Sequence, residues 1–160
     1  MSNQQLTVID DHARAQPMVA MRVGAQLFGI PVPAVRDVTR LPELTPIPLA
    51  PPVIAGLWNA NGTLVTVLDM RARLGLPPRE AEGAEPMLVM VEHQQERFGL
   101  IVDRLMEVMW LAPERAEPVP TTMNPHWRDI AANIYTMGEE LLVILHLAHT
   151  LEHAVAKAVA

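Results

Sequence analysis

Apolar and polar positions alternate at the start of the patterned chain. Val19, Met21 and Val23 interleave with Ala20 and Arg22, the period of two expected of a strand. Gly24-Ala25-Gln26 turns the chain and residues 27–30 return as a second hairpin arm. "IPVPAVRDV" fits one helical turn at residues 33–35 and then a short strand. Prolines at 42, 46, 48, 51 and 52 keep the next stretch extended or turning. Asn61-Gly62 lies between two apolar runs, a strong hairpin signal because both residues tolerate positive φ. In the second run Leu64, Thr66 and Leu68 alternate with Val65 and Val67, and Asp69 stands where it can cap "MRARLGL", a short helix stopped by Gly75. "PPREAEGAEP", residues 77–86, has no periodicity and reads as a linker. "MLVMVEH" and "RFGLIVD" then form a second hairpin about "QQE". Residues 1–16 are polar and acidic and read as a flexible tail, in which "QLTVI" alternates weakly like an added edge strand.

The pattern occurs twice. Phe28–Val38 matches Phe98–Val108 at a constant offset, with Phe, Gly, Val32/Val102 and Val38/Val108 identical. Ile30/Leu100, Val35/Leu105 and Asp37/Glu107 are conservative pairs. Pro46-Ile47-Pro48 then meets Pro118-Val119-Pro120 after a two-residue gain, and residues 54–74 match residues 130–151 with one further insertion. The ordered repetition predicts a duplicated β module of about 60–70 residues, too small to be very stable alone. Two copies should pack as a pseudo-symmetric pair through an apolar seam.

Composition narrows the chemistry. Fifteen prolines in 160 residues favour many short elements over long helices. A net charge of −6 disfavours a nucleic-acid backbone as partner. Without cysteine there is no disulfide, thiolate nucleophile or zinc ribbon. The first residues show no signal-peptide pattern and no apolar run approaches a membrane span, which predicts a cytoplasmic protein.

The motif order resembles the CheW-like domain of bacterial chemosensory adaptors. The resemblance rests on Phe28-Gly29-Ile30 with Val35-Arg36-Asp37-Val38, on "GLWNANGTLVTVLDMRARLGL" (residues 56–76) and on "RFGLIVDRLMEVMWL" (residues 97–111). It covers about residues 17–152. It implies a mainly β fold: one domain, residues 17–160, of two pseudo-symmetric five-stranded SH3-like barrels with short helices. The first barrel is expected at about residues 17–76 and the second at about 87–146, followed by a C-terminal helix at about 147–158. The resemblance further implies a non-enzymatic adaptor between the regulatory domain of a CheA-type histidine kinase and the helical hairpin tip of chemoreceptors, with no cofactor. Val35, Asp37, Val38, Gly56, Trp58 and Asn61 are the expected receptor-groove residues; no residue is assigned to the kinase contact. The chain departs from the family pattern at Asn61, where relatives carry arginine in "NLRG", at Ala60, and at "NIYTMGEE" in the late hairpin.

The same residues offer other chemistry. His146, His149 and His153 recur at helical spacing and are metal-ligand candidates, against a simpler reading as a solvated helix face; His146 also fits the end of the preceding strand. A phosphorylated histidine on a helical bundle does not fit a chain without long amphipathic helices. No phosphate loop, nucleophile elbow or HExxH motif is present. Asp69 and Asp103 each follow an apolar strand and read as caps or turn residues rather than an acid–base pair. Trp58 and Trp110 take similar places in the two halves, as core or as interface anchors. Charges such as Arg36 and Arg40 read as solvated. The alternative function is a small-ligand or metal-binding β protein using the cleft between barrels or the histidines.

Overall fold

The computed structural model describes residues 14–80 and 82–152. Ten strands form two five-stranded sheets: β1 (Gln16–Val23), β2 (Gln26–Pro31), β3 (Val35–Arg40), β4 (Ile54–Ala60), β5 (Thr63–Asp69), β6 (Met87–His93), β7 (Glu96–Val102), β8 (Arg104–Leu111), β9 (Ala131–Met137) and β10 (Glu140–Leu145). Within residues 16–151 three short helices accompany them: α1 (Met70–Arg73), α2 (Pro125–Ile130) and α3 (Leu147–Thr150). Single 3₁₀ turns span Val32–Ala34 and Pro113–Arg115.

One sheet runs β8-β1-β2-β10-β9 and the other β3-β6-β7-β5-β4. The orders are equivalent position by position. Parallel pairings β2 with β10 and β5 with β7 correspond, and so do the bulges in the β1–β8 and β3–β6 pairings. Outer bridges Thr45–Leu57 and Glu117–Ile134 correspond as well. The duplication and the mainly β, SH3-like class are therefore seen, but the sheets stay open: no pairing joins β8 to β9, or β3 to β4.

The expected division at the linker is corrected. Residues 17–76 do not make one sheet and residues 87–146 the other. Hairpin β1–β2 pairs with β8–β10 from the second repeat, while β3–β5 receive hairpin β6–β7. After β2, a 3₁₀ turn capped by Pro31 and containing Pro33 leads β3 away, so the next strand joins the other sheet. Sequence periodicity records the order of strands within a repeat, not the copy with which a strand pairs.

The exchange explains the repeated Phe-Gly. Alternate residues of each strand face opposite sides of a sheet. Phe28 and Phe98 turn into the apolar seam between the sheets, with Met21, Ile30, Val91, Leu100 and Val143, and both are fully buried. The adjacent glycines face the other way, into a smaller core under each sheet. A Cβ on Gly29 would lie 3.2 Å from Ile144 Cδ1, and one on Gly99 3.0 Å from Leu88 Cδ1. The small cores hold Met18, Ala20, Leu27, Tyr135 and Leu142 under the first sheet, and Val65, Val67, Leu88, Met90 and Ile101 under the second.

Local chemistry follows the sequence closely. Asn61 (φ 53°) and Gly62 (φ 92°) close the β4–β5 hairpin. Asp69 caps α1 by accepting from the Arg71 N–H at 3.0 Å, and Gly75 (φ 69°) ends it. Residues 77–80 and 82–86 form no strand or helix. β1 starts at Gln16, inside the expected tail; the rest of that tail before residue 14, with "QLTVI", lies outside the described residues. The C-terminal helix is seen as α3, and residues 153–160 of its expected span lie outside them too.

Candidate protein-interaction faces

Arg22, Gly24, Arg71, Arg79 and Asp103 tie the exchanged strands together. The Asp103 N–H donates to the Arg22 carbonyl at 3.0 Å, and the Asp103 carboxylate accepts from the Gly24 N–H at 2.7 Å. It also accepts from Arg71 Nε and Nη2, and from Arg79 of the linker. Burial alone would raise the Asp103 pKa. The hydrogen bonds from Arg71, Gly24 and Arg79 outweigh it and hold the carboxyl at about 2. Across the same sheet, Arg22 makes a two-pronged pair with Glu140 at 2.8 and 3.0 Å. These acids hold structure, as the cap-or-turn reading of Asp69 and Asp103 requires.

Two of the three candidate histidines, His146 and His149, lie side by side at the start of α3. His146 is the N-cap of α3 rather than a strand residue: its Nδ1 accepts from the His149 N–H at 3.3 Å. The two rings stack with centroids 3.9 Å apart, so one nitrogen is spent on the cap and the ring faces are spent on each other. His153 lies outside the described residues. Among the described residues no three metal-ligating side chains gather.

The six expected groove residues fall into two groups. Val35 and Val38 lie on β3, half-buried against the seam, and Asp37 is exposed with its carboxylate on the Val38 N–H at 2.8 Å. Gly56, Trp58 and Asn61 belong to the β4–β5 hairpin, at the opposite edge of that sheet. Trp58 packs on the small core beneath its own sheet, not on the seam. Gly56 sits under the backbone of Thr45, whose carbonyl oxygen would lie 2.7 Å from any Cβ there.

Edge β8 is the feature that sequence reasoning missed. Leu105 and Met106 are 37% exposed, Val108 51% and Trp110 52%. Edge strands normally carry charge that deters pairing; β8 has Arg104 and Glu107, while the equivalent edge β3 has Arg36, Asp37 and Arg40. Arg36 pairs with Glu92 at 2.8 Å, and Arg40 lies 3.8 Å from Glu85. Equivalent registers put Met106 where β3 has Arg36, and Trp110 where it has Arg40. The expected match of Trp58 with Trp110 is thereby corrected: Trp58 corresponds to Tyr135. The signal was available in "LMEVMWL", but its exposure depended on β8 being an edge.

An exposed apolar edge on a duplicated β scaffold suits protein contact better than turnover. Among the described residues no helix is long and apolar enough to cross a membrane. Comparison with known proteins is consistent with that picture. The chain is similar to "Probable chemotaxis protein CheW" of Rhizobium etli, 24% identical over 130 residues that cover 81% of this chain and 83% of the relative. It is 25% identical over 134 residues to "Chemotaxis protein CheW" of Rhizobium meliloti, at the same coverages. Among solved structures, the scaffolding protein TtCheW from Thermoanaerobacter tengcongensis superposes with a TM-score of 0.76 and 26% identity, covering 86% of this chain and 93% of that one. These relatives bear the names of chemotaxis and scaffolding proteins, not of enzymes. Residues 17–155 match the CheW-like domain, and the chain belongs to that family.

Proposed function

We propose that this protein is a non-enzymatic adaptor in a bacterial chemosensory array, binding the regulatory domain of a CheA-type histidine kinase and the helical hairpin tip of a chemoreceptor. The observation that carries the reading is the apolar edge strand β8, in a chain whose relatives are named as chemotaxis and scaffolding proteins. A helical partner buries an apolar stripe on such a face, and Leu105, Val108 and Trp110, which pair with alternate residues of β1, supply anchors on one side. Val35, Asp37 and Val38 extend the receptor surface along β3. Gly56, Trp58 and Asn61 form a second patch at the far edge, where an asparagine replaces the family's usual arginine and removes one charge from the contact. Two modest interfaces used together give avidity. The adaptor acts in the cytoplasm, recruited to membrane-bound receptors.

Calorimetric titration with the kinase regulatory domain and, separately, with a receptor hairpin tests this. Both should bind one to one. Val108→Lys places a charge on a half-exposed edge position, so the fold should persist while receptor binding weakens at least tenfold. No binding of either partner would refute the adaptor reading. Unchanged receptor affinity in Val108→Lys would remove β8 from the interface.

A further inference from the structure

One turn breaks two local rules at a single residue. Ile47–Ala50 is closed by the Ala50 N–H, which donates to the Ile47 carbonyl at 3.2 Å. Pro48 takes the second position, as a β-turn favours, and Leu49 takes the third, at φ 63°. That left-handed conformation suits glycine or asparagine, because a leucine Cβ there crowds the backbone. Leu49 is also fully exposed, the most exposed large apolar side chain among the described residues.

The fold requires neither feature. The matching stretch of the second repeat turns at Pro120–Met123, with Thr121 and Thr122 at its centre, both polar and neither at positive φ. Among the described residues Leu49 belongs to none of the three apolar clusters. Strain without a return in packing gathers at functional sites.

The neighbouring sequence is unusual as well. Residues 44–68 hold no lysine, arginine, aspartate or glutamate. The outer bridges and strand registers make residues 116–145 their equivalent, and these carry Glu117, Arg128, Asp129, Glu139 and Glu140. Loss of charge around a large apolar side chain is the composition of an interface core. Prolines 46, 48, 51 and 52 stiffen the loop, so little freedom is lost when Leu49 is seated.

We propose that Leu49 anchors the kinase contact by entering an apolar pocket on the regulatory domain of the CheA-type kinase. The inference rests on the adaptor reading and supplies the kinase-binding residue that reading leaves open. A side chain projecting from a stiff turn needs a concave counterpart. A folded domain offers one, whereas a helical hairpin presents a ridged stripe, the match for edge β8. The turn leads into β4, at the edge of the second sheet opposite β3, so a receptor lying along β3 leaves it open.

Calorimetric titration of the wild type and of Leu49→Gly, with the kinase regulatory domain and separately with a receptor hairpin, tests this. Glycine keeps the positive φ and removes only the side chain, so the thermal midpoint should not fall. Kinase affinity should drop about ten- to a hundredfold, the value of burying one leucine, while receptor affinity stays within about twofold. Leu49→Asn also tolerates the turn and should lose kinase affinity likewise; Leu49→Met keeps an apolar anchor and should retain most of it. Equal kinase binding by the wild type and Leu49→Gly overturns the inference and leaves the adaptor reading standing. Loss of receptor affinity alone would move Leu49 to the receptor contact and overturn it. So would a fall of more than about 5 °C in the Leu49→Gly midpoint, which would give Leu49 a role in the fold. A wild type that does not bind the kinase domain removes the adaptor reading and this inference with it.

Discussion

Adding one methyl at the two equivalent glycines should have unequal effects. Gly99→Ala puts a Cβ 3.0 Å from Leu88 Cδ1, and 3.2 Å from both Leu88 Cγ and Val67 Cγ2. Leu88 and Val67 are fully buried, so neither side chain can swing into solvent. Overpacking of this kind costs about 1–3 kcal/mol. Replacing glycine also restricts the unfolded chain, which returns about 0.4–1 kcal/mol. The net loss should be about 1–2 kcal/mol. At Gly29 only Ile144 Cδ1, at 3.2 Å, is tight; the next atoms stand at 3.5 and 3.6 Å. Ile144 borders an open cleft, so its terminal methyl can give way. Gly29→Ala should therefore be neutral within about 0.5 kcal/mol. Urea unfolding at fixed pH measures both, and with a slope of about 2 kcal/mol per molar the Gly99→Ala midpoint should fall by about 0.5–1 M. Adding Leu88→Ala to Gly99→Ala should cost less than the two changes summed, because the truncated side chain makes room. Equal effects at the two glycines, or a greater loss at Gly29, would refute the account of the Phe-Gly repeat.

Other outcomes follow from the exchanged strands and their ties. Asp103 is held at about 2, below its ordinary value, so its contribution is complete above about pH 4 and is lost as pH falls towards 2. Asp103→Asn should be destabilised by about 1–2 kcal/mol at pH 7, allowing for the carboxylate's partial exposure, and should flatten the acid limb of a stability–pH curve; an unchanged limb would show that the clamp is inert. Cleavage at a protease site built into residues 82–85 should leave both fragments in one peak on a sizing column, since each sheet takes strands from both. Fragments separating without denaturant would contradict the exchange. Phe28→Ala and Phe98→Ala should each cost about 3–5 kcal/mol in thermal or urea unfolding, as expected for a large ring lost from the seam, and a loss below about 1 kcal/mol would place that ring outside it.

Strands, turns and caps were legible because their signals are local. Asn61-Gly62 needs only its own backbone freedom, and Asp69 only the N–H two residues ahead. The repeat was legible from Phe28-Gly29 and Phe98-Gly99. Pairing was not, because β2 meets β10 across more than a hundred residues, and nothing in Leu27 or Phe28 names Leu142 or Val143 as neighbours. The site suffered in the same way. The groove residues came from family resemblance as one set, yet Val38 and Trp58 belong to different apolar clusters. Met106 and Val108 were not legible as a contact surface, since an apolar strand reads alike whether central or at an edge.

The exchange also sets an order of assembly on the ribosome. Strands β3 to β7 are contiguous, residues 35–102, and one whole sheet can form once they have emerged. Hairpin β1–β2 is made first but must wait for β8 to β10, the last strands synthesised. Its Phe28 and Ile30 stay without their final neighbours until those strands emerge, at a synthesis rate of about 5–20 residues per second. Contacts so distant in sequence also slow the closing step. The first sheet is thus a late joint sealed by both ends of the fold, and the nascent chain is most vulnerable to aggregation in the interval before β10 arrives.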